Sequence, residues 1–188
     1  MPDAEPRREA LVLAAYSRLA EAGFEGLRTR DVAAEVGVNI ATLHYYFPTK
    51  EALIRGVVGH AMGRFRTAFA PGSKPGEQLG AQFRGIRRLA KNEPELFAVM
   101  GELALRSSRD PAIAAIFKDT IEAWHSTLQT LVAHAQTEGF VDKKLDPDTV
   151  ASLVIATLNG LFMMPVANTA SDRVDKALSQ LESFLGLS

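Results

Sequence analysis

A chain of 188 residues with 47% apolar and 23% charged side chains and a net charge of −1 has the make-up of a globular protein with a real core, which excludes a disordered chain. The absence of cysteine excludes disulfides, thiolate metal sites and a cysteine nucleophile, and fits a reducing compartment. Charged residues from Asp3 to Glu9 precede any apolar run, and no stretch approaches the ~20 apolar residues of a membrane span, so a cytoplasmic protein with no membrane contact is expected.

No period-2 strand pattern appears, whereas helical periodicity recurs throughout, which predicts an all-α fold. Leu11, Ala15, Leu19 and Ala22 share one face of a first helix that Gly23 is placed to end. Phe24 and Leu27 anchor the connector. Thr29 reads as the N-cap of a short helix through Val36, with Asp31 favourable in its first turn, and Gly37 ends it. Asn39 caps the next helix, Ile40 to Tyr46, which Pro48 stops; Thr49 caps a longer one carrying Leu53, Val57, Ala61 and Phe65. The run Pro71-Gly72-Ser73-Lys74-Pro75-Gly76 is the clearest punctuation and marks a boundary. Beyond it, helices are expected at about 77–91, 94–107, 110–138, 146–168 and 171–186. Pro94 and Pro111 suit first-turn positions, and Asp110 and Asp146 suit caps.

Two short helices meeting at Gly37 make a helix-turn-helix, with small Ala33 at the close approach and Val32, Val36, Val38 and Leu43 as its core. The second helix is short and uncharged. No acid occurs from Val36 to Lys50, and Arg28 and Arg30 lie just upstream, as a phosphate-facing surface requires. Asn39 and Thr42 can donate to phosphates, and Tyr45 and Tyr46 offer phenolic hydroxyls. Lys50, at a helix start, is placed to hold a phosphate together with free backbone N–H groups. Phe47 is expected in the core, with Tyr45 and Tyr46 at least partly at the surface.

The run from Ala22 through Phe47 to Leu53 carries an Ala22-Gly23-Phe24 connector and ends Tyr45-Tyr46-Phe47-Pro48-Thr49-Lys50-Glu51-Ala52-Leu53. Over roughly residues 8–55 it resembles the DNA-binding domain of the tetracycline-repressor (TetR) family. The rest resembles that family only in length, helical pattern and helix order. The resemblance implies a three-helix DNA-binding domain, a helical ligand-binding and dimerisation core, and repression relieved by a small molecule. It places Thr29, Thr42, Tyr45, Tyr46 and Lys50 on the DNA backbone and Ile40, Ala41 and His44 towards bases. His44 stands where the family commonly has Tyr, so base readout differs there. The domains implied are 1–55, with a helix continuing to about 70, and 71–188.

In the C-terminal part, Phe83, Phe97, Met100, Phe117, Ile121, Trp124 and Met163 recur at helical spacing; they are either core or the lining of an adaptable apolar pocket. Phe162 and Met164 belong to the same stripe. His125 forms a single Glu-x-x-His pair with Glu122, which lacks the partners of a di-metal site and suits a hydrogen bond in a cavity. Arg87, Arg88 and Arg106 are candidate counter-ions for a ligand or else surface residues. Gly56, Gly59 and Gly63 stud the linking helix, for close packing or for compliance. The last two helices are apolar enough that Leu153, Gly160, Leu161, Leu178, Leu181 and Leu185 are expected in a dimer interface. No nucleophile–base pair, metal cluster or phosphate loop points to an enzyme, and no cofactor is expected. The reading is a homodimeric regulator on double-stranded operator DNA, released by a small hydrophobic effector. The alternative is a helical enzyme or small-molecule carrier with a vestigial helix-turn-helix.

Overall fold

The computed structural model describes residues 4–68, 75–163 and 170–187, without the side chains of 4, 68, 75–76, 161–163 and 170–173. These residues form nine helices and no strand: α1 (Ala4–Gly26), α2 (Thr29–Glu35), α3 (Ile40–Tyr46), α4 (Lys50–Ala68), α5 (Pro75–Asn92), α6 (Pro94–Ser107), α7 (Pro111–Thr137), α8 (Pro147–Met163) and α9 (Ala170–Phe184). Residues 71–74 of the expected boundary lie outside the described residues.

The expected caps act as the chemistry of their residues dictates. Asn39 Oδ1 accepts the Thr42 N–H at 2.7 Å and Thr49 Oγ1 accepts the Ala52 N–H at 3.1 Å. Asp110 Oδ1 accepts from the N–H groups of Ala112 (3.1 Å) and Ile113 (3.3 Å), ahead of the Pro111 start of α7. Asp146 accepts the Thr149 hydroxyl at 2.6 Å and its N–H at 2.9 Å, and these bonds hold the carboxyl below the usual carboxylate range. Gly37 (φ 72) and Gly139 (φ 82) take the left-handed conformation that ends a helix without a Cβ clash.

Two local expectations are corrected. Thr29 is the first residue of α2, and Arg28 holds the cap position with extended backbone and no side-chain bond. Burial of Leu27 sets where the chain turns, and the Arg28 carbonyl takes up the N–H groups of Asp31 (3.0 Å) and Val32 (3.1 Å). Gly23 does not end α1 outright. It bends it (φ 65, ψ −171), and helix resumes for one turn to Gly26. Ala22, at this bend, is exposed, whereas Leu11, Ala15 and Leu19 are buried.

The chain packs as two units, Met1–Gly63 with Ala98–Phe117, and Arg64–Phe97 with Lys118–Ser188. In the first, the core joins Leu11, Ala15 and Leu19 of α1 to Val32, Ala33, Leu43, Phe47 and Leu53. Gly56 lets α4 approach α1 there, because a Cβ would stand 2.9 Å from Val12 Cγ2. Gly59 has open space instead, with nothing among the described residues within 4 Å of where a Cβ would stand. In the second, Leu79, Phe83 and Ile86 of α5 and Leu178, Leu181 and Leu185 near the chain end are buried. Arg87 ties α5 to α9 through Asp175 at 2.7 Å and Glu182 at 2.6 Å. The Gln136 amide donates to the carbonyls of Asp142 (2.9 Å) and Leu145 (2.7 Å), closing the turn between α7 and α8.

Candidate nucleic-acid interface

The turn between α2 and α3 is held by its own backbone. Gly37 N–H donates to Ala34 O at 3.0 Å and Val38 N–H to Ala33 O at 2.9 Å. Ala33 is buried, so the two helices meet over a side chain of one carbon. Leu43 is fully buried and Phe47 nearly so, while Val36 and Val38 are half-buried at the rim. Arg18 of α1 pins α2 from outside through Glu35 (2.9 Å) and Asp31 (3.8 Å).

This core turns the rest of α3 outward. Asn39, Ala41, His44 and Tyr45 are exposed, Tyr45 at 78%, and Ile40, Thr42 and Tyr46 are half-buried. Tyr45 and Tyr46 meet edge to face at 5.2 Å, which stiffens both rings. Thr42 Oγ1 donates to Asn39 Oδ1 at 3.0 Å, so its proton is used within the cap, and the Asn39 NH2 is the donor left for a phosphate. Thr29 is half-buried, and Arg28 and Arg30 beside it are exposed. With no acid from Val36 to Lys50, an uncharged ridge stands beside cations, a surface suited to the major groove of DNA.

Lys50 has a position that sequence did not disclose. Its Nζ reaches the Phe24 carbonyl at 3.5 Å and lies 4.2 Å from the centroid of the Phe24 ring. Partial burial there lowers its pKa, with nearby Glu25 opposing.

The expected pocket residues divide between the units. Met100 and Phe117 are buried in the first. In the second, Phe83 and Phe97 are buried, and Ile121, Trp124 and His125 are half-buried. Phe65 brings two of them together: it meets Phe97 edge to face at 5.9 Å and stacks on Trp124 at 6.5 Å. Phe65 was legible only as a core position of α4, because its partners come from α6 and α7. The Trp124 Nε1–H is buried and has no hydrogen-bond partner among the described residues. His125 is drawn instead to Ser152 Oγ (3.1 Å) and the Asp148 carbonyl (3.3 Å) of α8. Glu122 is exposed and pairs with Lys118 at 3.8 Å. Arg87 is committed to α9, and Arg106 pairs with Glu25 and Asp110, each at 3.5 Å.

Of the expected interface residues, Leu178, Leu181 and Leu185 are buried within the single chain. Leu153 is 52% exposed, and Gly160 is exposed, with nothing among the described residues within 4 Å of where a Cβ would stand. The side chains of Leu161, Phe162 and Met163, and the whole of Met164, lie outside the described residues.

Comparison with known proteins agrees with this geometry. Residues 11–57 match the family model described as "Bacterial regulatory proteins, tetR family", and residues 75–186 match "BetI-type transcriptional repressor, C-terminal". The chain is 28% identical over 155 residues to the HTH-type transcriptional regulator EthR of Mycolicibacterium smegmatis, covering 80% of this chain and 68% of that protein. Salmonella enterica GusR has the same fold, with a TM-score of 0.82 at 21% identity, covering 97% of each chain. So does a transcriptional regulator from Saccharomonospora viridis solved in complex with choline, with a TM-score of 0.75 at 20% identity, covering 95% of this chain and 96% of that one.

Proposed function

The chain belongs to the TetR family of DNA-binding transcriptional regulators, and from that premise we propose that it is a homodimeric repressor released from its operator by a small, largely apolar effector. The observation that carries the effector reading is the aromatic group Phe65, Phe97 and Trp124 in the second unit. Aromatic faces of this kind take up apolar ligands and also attract quaternary ammonium groups. The Trp124 Nε1–H, unpartnered among the described residues, adds a place for a hydrogen-bond acceptor on the effector. Thr29, Asn39, Tyr45, Tyr46 and Lys50 hold phosphates, Thr42, expected among them, spends its hydroxyl proton on Asn39 within the cap, and Ile40, Ala41 and His44 face bases. A separation of these tasks is supported by the two packed units, since α2 and α3 belong to the first and Phe65, Phe97 and Trp124 to the second, whereas the expected cut at about residue 70 would have split that aromatic group.

The test begins with selection of bound sequences from random DNA, which supplies the operator. Hydrophobic compounds, and choline because of the Saccharomonospora viridis structure, are then titrated while the fluorescence of Trp124 is followed. An effector that changes this signal is expected to weaken operator binding, and by linkage the operator weakens its binding by the same factor, typically ~5–150-fold. A compound that binds beside Trp124 yet leaves operator affinity unchanged would refute the regulatory role of that site.

His44 carries a second expectation. It is exposed on α3, while Leu43 supplies the buried contact. His44→Ala is expected to relax preference at one or two operator positions and to leave affinity for random DNA within about 2-fold. Equal losses on operator and random duplexes, measured by competition, would remove His44 from base readout.

A further inference from the structure

Within the first unit, a single residue is gripped at its N–H, its carbonyl and its ring. At Gly23 the backbone takes φ 65 and ψ −171, which swings the Phe24 N–H out of the α1 ladder. That N–H donates to Glu102 Oε1 of α6 at 2.8 Å, across 78 residues of sequence. The Phe24 carbonyl faces Lys50 Nζ at 3.5 Å. Its ring takes Lys50 Nζ at 4.2 Å and Arg106 Cζ at 4.4 Å from the centroid. Arg106 is itself braced by Glu25 and Asp110, each at 3.5 Å. The fit is close, since a Cβ on Gly23 would stand 3.2 Å from Glu102 Oε1 on a backbone that L residues rarely adopt.

We infer that Glu102 is a positioning residue for DNA binding: it fixes Phe24 at the bend of α1, and Phe24 in turn fixes the Lys50 ammonium beside the recognition helix α3. A carboxylate accepting an amide N–H makes a strong, short bond, suited to holding a backbone group that has left its helix. Lys50 opens α4, three residues beyond Phe47 at the end of α3. Its long side chain otherwise samples many rotamers, and the ring and carbonyl of Phe24 confine it to one region. Arg106 sits on the same ring and discourages Lys50 from moving further inward by like-charge repulsion. The charge is thus kept within reach of a phosphate that borders α3. The inference rests on the reading of α2 and α3 as the DNA-binding element.

The test uses the full chain and an operator duplex obtained by selection, with affinity measured across a salt series. Glu102→Ala is expected to bind about 10-fold more weakly and with a salt slope shallower by about one, the signature of one lost phosphate contact. Glu102→Gln keeps a carbonyl oxygen that can accept the Phe24 N–H, and is expected to restore the slope and to bind within about 3-fold of wild type. Lys50→Ala is expected to reduce the slope by the same amount, and adding Glu102→Ala to it is expected to change the slope no further, because both act on one contact. Should Glu102→Ala fail to fold, Phe24→Leu keeps the backbone bond and the buried apolar side chain but removes the ring, and it too is expected to flatten the slope. A wild-type affinity and slope in Glu102→Ala, slope losses that add in the double variant, a Gln variant as impaired as the Ala variant, or an unchanged slope in Phe24→Leu would each overturn the inference. Failure of the wild-type chain to bind any selected duplex would instead refute the DNA-binding reading itself.

Discussion

Leu153→Glu is expected to yield a folded monomer whose operator affinity is lower by at least about 10²-fold, the scale at which linking two binding modules raises avidity. The expectation follows from α8. Ser152, Leu153, Ala156 and Gly160 are exposed along it, so an apolar side chain and three small residues share an open surface. On α9, Phe184 is 73% exposed, a large aromatic area left in water by a single chain. In the homodimer proposed above, two copies of an α8–α9 face would make a self-complementary interface. A carboxylate at position 153 would have to be buried unpaired in that seam, which costs several kcal/mol, whereas in the monomer it meets only water. Helix-turn-helix dimers read two half-sites one DNA turn apart, so a monomer keeps only one of the two sets of contacts. Sedimentation and operator titration of the same preparation check both parts. A Leu153→Glu protein that stays dimeric at micromolar concentration would place the interface elsewhere. Leu181→Glu is the instructive contrast. Leu181 is 6% exposed within one chain, so the same change there is expected to give insoluble or unfolded protein.

Leu43→Ala is expected to lower stability by about 2–5 kcal/mol, the range for truncating a buried leucine. For a chain of this size that corresponds to a fall in Tm of roughly 5–20 °C. Leu43 is 0% exposed at the centre of the small core that Val32, Ala33 and Phe47 complete, and this core is what orients α3. With few neighbouring side chains to relax into the gap, the cavity persists, and operator binding is expected to be lost together with the fold of the helix-turn-helix. Leu13→Ala is the control. Leu13 is 41% exposed on the outer face of α1, and its truncation is expected to stay within about 0.5 kcal/mol. Thermal melting followed by circular dichroism compares the two. A fall of less than about 2 °C for Leu43→Ala would mean that α3 is not held by this core.

What the chain discloses about itself falls into two classes, divided by the range of the interactions. Caps and stops were legible because they act within three or four residues. Asn39, Thr49, Asp110 and Asp146 bond to N–H groups two or three positions on, and Gly37 and Gly139 relieve a steric clash with their own backbone. The faces of the helices were legible for the same reason: Leu11, Ala15 and Leu19 recur every turn, and the turn is a property of the backbone. The helix-turn-helix is almost wholly local, which is why Val32, Leu43 and Phe47 were legible as buried and Tyr45 as outward, although Val36 and Val38, expected in the same core, stay half-buried at its rim.

Periodicity tells which face of a helix is apolar but not what covers it. Leu178, Leu181 and Leu185 were expected between two chains, and the structure buries them inside one, beside the Arg87 clamp on α9. Phe65 and Trp124 lie 59 positions apart in sequence, and no local rule pairs them. The start of α2 shifted from an expected cap at Thr29 because burial of Leu27, a tertiary contact, set where the chain turns. Sequence alone thus determined the all-helical class, the caps at Asn39, Thr49, Asp110 and Asp146, and the DNA-reading element, since each rests on bonds closed within a turn or two of chain. Only the tertiary structure decided the seat of Lys50 on Phe24 and the grip of Glu102 on the same residue. Those contacts join positions that chain connectivity leaves independent, and only packing of the helices brings them within bonding distance.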